Sequence, residues 1–104
     1  MSNLSERASE LEDRLVALGA RNCLLAADLP SSDIGRHVAA QLTRCSTSPA
    51  ANCAEARCSE SPGHFIHKMK VCLKELRETM VWLKLLVLLK IADPSAVRGG
   101  GRGN

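Results

Sequence analysis

PGHFIHKMKVCLKELRETMVWLKLLVLLKI, residues 62–91, decides the fold. Phe65, Met69, Cys72, Leu76, Leu83 and Val87 recur at steps of three, four and seven, the period of one helix face. Ile66, Leu73 and Met80 widen that stripe, while Lys70, Lys74 and Arg77 fall on the other side. Beyond Met80 the pattern changes. Val81, Trp82, Leu85, Leu88 and Leu89 leave the stripe, so the last turns are apolar nearly all round. A helix of that kind is not a surface helix, and another helix or another subunit must cover it.

Both ends of this stretch are punctuated. Ser61 is placed to cap the helix with Pro62 at its first position, where a missing N–H costs nothing. Asp93-Pro94 is read as its stop. The spacing therefore predicts a helix over 62–91. Upstream, Ser31, Ser32 and Asp33 are N-cap candidates for a second helix over 33–59. Its apolar side is Ile34, Val38, Leu42, Cys45 and Cys53. Pro49 lies inside it and frees the carbonyl of Cys45, which predicts a kink. The hydroxyls of Ser46, Thr47 and Ser48 are candidates to satisfy the freed groups. A first helix over 4–27 carries Leu11, Leu15, Leu18 and Leu25, flanked by Val16 and Cys23, with Gly19 weakening its middle. Leu29-Pro30 ends it.

The expected fold is all-α: an antiparallel up-down helical bundle with three helices evident, as one domain over residues 1–92. The remainder, 93–104, has four glycines in its last six residues and is expected to be a disordered Gly/Arg tail. Arg98 and Arg102 are too few to make it an Arg/Gly-rich RNA-binding segment.

Composition narrows function. Aromatic residues make up 2 %, which speaks against a strand-rich fold and against a platform of stacked bases. The net charge is +3, but between Arg36 and Lys90 nine Lys/Arg stand against four Asp/Glu, so an anionic partner meets the second half first. Five cysteines, no CxxC and a polar N-terminus point to reduced thiols in a cytoplasmic protein. The apolar run Met80–Ile91 holds Lys84 and Lys90 and is shorter than the ~20 residues that span a bilayer. No Ser- or Cys-centred nucleophile motif and no Gly-rich phosphate loop occurs, so no catalytic residue and no cofactor is assigned.

Three constellations remain. His37, Gln41, Arg44, Ser48, Asn52, Glu55 and Ser59 share one face of the second helix, opposite Glu75 and Glu78 of the third. Arg44 is expected to pair with one of these carboxylates, and Asn52 to cap groups freed by Pro49. This is either a small polar binding site or a structural network that fixes helix register. Glu55, Glu75, Glu78, His64 and His67 invite a metal, yet no Glu-x-x-His pair on facing helices is present. Lys68, Lys70, Lys74, Arg77 and Lys84 form a basic face, suited to phosphate contact or simply solvated among Glu75 and Glu78.

The run from Gly35 to Ala56, GRHVAAQLTRCSTSPAANCAEA, resembles the second helix of the bacterial four-helix bundle proteins, the 23S rRNA intervening-sequence protein family. His64-Phe65-Ile66-His67-Lys68, Leu73-Lys74-Glu75-Leu76-Arg77-Glu78-Thr79 and Trp82-Leu83 resemble its third helix, and Leu29-Pro30 fits its first break. The resemblance covers roughly residues 10–90 and implies a bundle that assembles into a ring, a pentamer. It also implies kinship with proteins encoded in 23S rRNA insertions, and with partners of retroelement reverse transcriptases, where a basic ring meets polymerase and nucleic acid. No catalysis is associated with the family. By position, Gln41, Arg44, Asn52, Glu55, Glu75 and Glu78 are its signature polar residues, with a structural role. The family's fourth helix is expected to be missing or truncated here.

The function expected is a non-enzymatic bundle that self-associates through Trp82, Leu85 and Leu89. It would bind RNA, DNA or a nucleic-acid enzyme such as a reverse transcriptase through Lys70, Lys74 and Arg77. The alternatives are a truncated or degenerate family member without specific activity, and a metal- or ligand-binding bundle using Glu55, Glu75 and His67.

Overall fold

A computed structural model describes residues 2–99, with side chains described over 5–97. Three long helices, α1 (Ser2–Ala27), α2 (Asp33–Arg57) and α3 (Pro62–Leu88), are followed by a short one, α4 (Pro94–Gly99). No strand occurs among the described residues, as the all-α expectation requires.

The breaks follow local chemistry. Ser32 is the α2 N-cap, its Oγ accepting a 3.0 Å bond from the Gly35 N–H. Ser61 caps α3 in the same way, accepting from the His64 N–H at 3.1 Å, with Pro62 next. Leu29 is buried between the first two helices, which anchors the Leu29-Pro30 break to the core.

The chain runs up, down and up. Glu12 near the start of α1 pairs with Arg57 at the end of α2, and Gly19 backs onto the Ser46 carbonyl. Thr79 of α3 meets Cys45, and Lys68 meets Glu55, so α3 is antiparallel to α2 as well. α2 is thus the shared neighbour of α1 and α3. Its inward seam is Val38, Leu42, Cys45, Pro49, Cys53 and Ala56, all buried. One core cluster joins Ala26, Leu29, Val38, Leu42 and Leu86; a second joins Leu15, Cys53 and Cys72.

Gly19, read from sequence as a weak point, has a packing role. A Cβ there would lie 3.1 Å from the Ser46 carbonyl oxygen, so glycine lets α1 approach α2 closely. α2 runs through Pro49 as a continuous helix. The hydroxyls assigned to the proline break act elsewhere. Thr47 donates to the Thr43 carbonyl at 2.8 Å, Ser48 accepts from Asn52, and Ser46 Oγ is buried without a partner.

α3 departs from the sequence expectation in phase. Its buried residues are Cys72, Glu75, Thr79 and Leu86. The inward face is therefore turned roughly 60° from the stripe through Phe65, Leu76 and Leu83, at ~100° per residue. Phe65, Ile66, Leu73 and Met80 are exposed, and Leu76, Leu83 and Val87 are half-buried. The cause is the polar seam described below: Arg44 draws Glu75 and Glu78 toward α2 and the leucine rows turn with them.

α3 also ends three residues before the expected Ile91. Lys90 takes φ 60°, its N–H bonds the Val87 carbonyl at 3.0 Å, and the Ile91 N–H bonds Leu86 at 3.2 Å. This is a Schellman turn, with Lys90 where glycine usually stands and Ile91 folded onto the Leu86 cluster. α2 ends at Arg57, two residues before the expected Ser59, with Cys58 as its cap.

The expectation of disorder from 93 onward is corrected over 94–99. Asp93 accepts from the Ser95 N–H and hydroxyl at 3.0 Å, and Pro94 opens α4 where proline is tolerated, so it starts a helix and is not what stops α3. Residues 100–104 of the expected tail lie outside the described residues.

Gly35 gives the sharpest test of these contacts, because a Cβ there would lie 2.0 Å from the Pro30 carbonyl oxygen. Gly35→Ala is expected to destabilise the fold by about 3 kcal/mol, the upper end of overpacking costs, in urea unfolding. Gly63→Ala, with nothing within 4 Å of the added carbon, is expected to be neutral or mildly stabilising.

Candidate functional site

The polar face of α2 meets α3 in one charged seam. Arg44 reaches across and donates through Nη1 to Glu75 at 3.3 Å and through Nη2 to Glu78. Gln41 accepts from Arg44 at 3.3 and 3.1 Å, which orients the guanidinium. The Glu75 carboxylate is nearly buried, its side chain 12 % exposed, whereas Arg44 is half-exposed. The Trp82 indole N–H donates to Glu78 at 3.2 Å, and its ring stands edge-on to His37 at 5.7 Å. That indole, with Arg44, holds the Glu78 carboxyl below the usual carboxylate range. Below Arg44, the Thr79 hydroxyl sits 2.8 Å from the Glu75 carbonyl and 3.3 Å from the Cys45 sulfur. Burial pushes the Cys45 thiol upward, away from thiolate reactivity.

Of the six signature polar residues, four stand together: Gln41, Arg44, Glu75 and Glu78. The other two do not join them. Asn52 donates to the Ser48 carbonyl and hydroxyl, one helical turn back, and does not cap Cys45. Glu55 pairs with Lys68 at 2.7 Å near the far end of α2, which lowers its own pKa. Lys68 therefore belongs to the helix interface and not to the basic face. Among the described residues no group of three or more His, Cys, Asp and Glu is placed to hold a metal ion, so Glu55, Glu75 and His67 are not brought together as ligands.

The outer face of α3 is different. Lys70, Lys74, Arg77 and Lys84 are exposed, and no ion pair among the described residues involves them. Of the residues expected to drive assembly, Trp82 is half-buried and engaged with Glu78. Leu85 and Leu89 are 38 % and 43 % exposed, beside Val81 at 54 % and Leu88 at 79 %. Met80, at 56 %, borders them.

Sequence reasoning missed the buried polar residues of the α1–α2 contact. Asn22 is 5 % exposed and its Nδ2 has no partner among the described residues, like Ser46 Oγ on α2. The only prior signal was position: Asn22 lies seven residues after Leu15, inside the apolar stripe of α1.

A lowered folded-state pKa contributes stability above the unfolded value, about 4.3 for glutamate, and loses it as pH falls through the folded value. Glu78→Gln is therefore expected to unfold at lower urea than the natural chain at pH 7, with the gap closing as pH falls toward about 3. A gap that stays constant with pH would contradict the role given to this carboxylate.

No helix of the described residues is long and apolar enough to cross a membrane. No curated protein and no solved structure matches the chain. The family model described as 23S rRNA-intervening sequence protein matches residues 8–99, from early α1 to the end of α4. With that match spanning all four helices, the chain belongs to the 23S rRNA-intervening sequence protein family.

Proposed function

We propose that this protein is a non-enzymatic assembly module whose copies associate through the C-terminal half of α3. The observation that carries this reading is the exposure of Val81, Leu85, Leu88 and Leu89 on consecutive turns, around a helix whose Leu86 is fully buried. Scattered exposed leucines are ordinary, but a contiguous apolar patch on one helix marks a contact surface. The occupant favoured is a second copy. The family resemblance implies a closed ring, and head-to-tail contacts of identical chains form one where the rotation per copy closes.

A second reading concerns the cations. Lys70, Lys74 and Arg77 stand on the outer side of α3, free of acidic partners among the described residues. Steps of four and three residues place them about 6 and 4.5 Å apart along the helix axis, at 1.5 Å per residue. Phosphate contact needs charge and position and little else, so this row suits RNA or DNA, and assembly would repeat it in every copy. A reverse transcriptase carrying nucleic acid is a partner of the same kind.

One set of samples tests both parts. Light scattering of the full chain is expected to give a discrete oligomer, and Leu85→Glu with Leu88→Glu to give monomers of 11.2 kDa with unchanged helical content. Lone monomers of the natural chain, or a polydisperse aggregate, would contradict the assembly. RNA binding is expected to weaken with salt and to be lost in the Lys70→Gln, Lys74→Gln, Arg77→Gln variant. Each of the three phosphate contacts should add about −0.7 to the log–log salt slope on a single strand.

A further inference from the structure

Two helices of this chain each turn a row of exposed residues away from α2. On α1 the row is Glu6, Glu10, Asp13, Ala17, Ala20 and Leu24. On α3 it is Lys70, Lys74, Arg77, Val81, Lys84 and Leu88. Every member of both rows is exposed. Both advance by four, three, four, three and four residues, the spacing that keeps a row on one side of a helix and sets it against a second helix. The buried residues Leu15, Asn22 and Ala26 lie on the opposite side of α1, and Cys72, Thr79 and Leu86 on the opposite side of α3.

The rows share one order and carry opposite charge. Each opens with three ions, carboxylates on α1 and cations on α3, and none of the six is in an ion pair among the described residues. Lys74 acts on Glu78 one turn further on, but that carboxylate is already held by Arg44 and the Trp82 indole. Each row then turns apolar. On α1 it ends at Leu24, 71 % exposed, with Val16 beside it at 54 %; on α3 it ends at Leu88, 79 % exposed, with Leu85 beside it at 38 %. Lys84 interrupts the α3 half with a head that reaches water over an apolar stem. Arg7, Arg14 and Arg21 each follow a member of the α1 row by one residue, ~100° round the helix, so they stand beside the row and not in it.

Both rows point away from the helix they share, so they do not meet within one copy. α1 and α3 run in the same direction, so a neighbour in the same orientation lays its α3 parallel to this α1. Aligned start to start, Glu6 faces Lys70, Glu10 faces Lys74, Asp13 faces Arg77, and Leu24 meets Leu88. The antiparallel alignment sets the carboxylates on leucines, and α3 laid parallel on α3 sets cations on cations. We propose that copies of this chain associate head-to-tail, the outward row of α1 in one copy lying parallel along the outward row of α3 in the next. The apolar halves supply affinity, and the three charge pairs fix direction and register. This rests on the self-association proposed above and names the surface that receives the end of α3. In the assembled state Lys70, Lys74 and Arg77 then face a neighbour's carboxylates in place of phosphate.

Light scattering of full-chain variants, each checked for natural helical content by circular dichroism, tests the pairing. Leu24→Glu, at an exposed site of α1, is expected to be monomeric, as is the Leu85→Glu, Leu88→Glu chain. Mixed in equal amounts the two should give dimers and nothing larger, because a head-to-tail contact joins two different faces and the mixture holds one intact pair. Glu10→Lys with Asp13→Lys should weaken association at least about tenfold, and adding Lys74→Glu with Arg77→Glu to the same chain should restore it to within about threefold. If the Leu85→Glu, Leu88→Glu chain is monomeric while Leu24→Glu still assembles, the pairing with α1 is overturned and self-association through α3 alone stands. A natural chain that is monomeric overturns both. A mixture that stays monomeric, a charge swap that restores nothing, or charge variants that alter RNA binding and leave the oligomer intact would each overturn the pairing.

Discussion

α2 must satisfy two neighbours at once, and every other feature of the molecule follows from how it does so. Its inward seam is built from small and medium side chains: Val38, Leu42, Cys45, Pro49, Cys53 and Ala56. Toward α1 the approach is close, with Gly19 against the Ser46 carbonyl and Ala26 in the shared cluster. Toward α3 the contact is polar at its edge. Arg44 gathers Glu75 and Glu78 there, and the half-exposed guanidinium keeps a nearly buried carboxylate from being left uncompensated.

That polar edge has a cost in where the leucines go. With Glu75 and Thr79 turned inward, α3 spends only Cys72 and Leu86 as fully buried apolar residues. Its remaining apolar side chains divide between two surfaces. Leu73 and Met80 stay exposed on one flank, while Leu83 packs against the core cluster. Val81, Leu85, Leu88 and Leu89 face outward near the end of the helix.

The helices themselves were legible because their stops are chemical: Ser32 and Ser61 as caps, Leu29-Pro30 as a break. The pairing of Arg44 with Glu75 and Glu78 was legible from matched faces. The phase of α3 was not. A helix with apolar residues nearly all round has no unique inward direction in its pattern, so Leu83 and Val87, which pack against the core from its edge, read as its centre, and Leu86 went unremarked. The end of α3 was hidden for another reason. A left-handed lysine at position 90 leaves no signature in sequence, where glycine would have. α4 was hidden by composition, since Pro94 and a glycine-rich stretch read as a stop while Asp93 and Ser95 make the local bonds of a helix start. Asn52 and Glu55 share a face with Arg44 but lie two and three turns away, beyond its reach.

Two leucines two positions apart report the rotation of α3 most directly. Urea unfolding of Leu86→Ala and Leu88→Ala, compared at a concentration where the chain is monomeric, measures which side of the helix faces α2. The rotation described here predicts a loss of about 3 kcal/mol for Leu86→Ala and a change within about 0.5 kcal/mol for Leu88→Ala. Equal losses, or the larger loss at Leu88, would place the other face of α3 against the core and contradict the phase assigned to this helix.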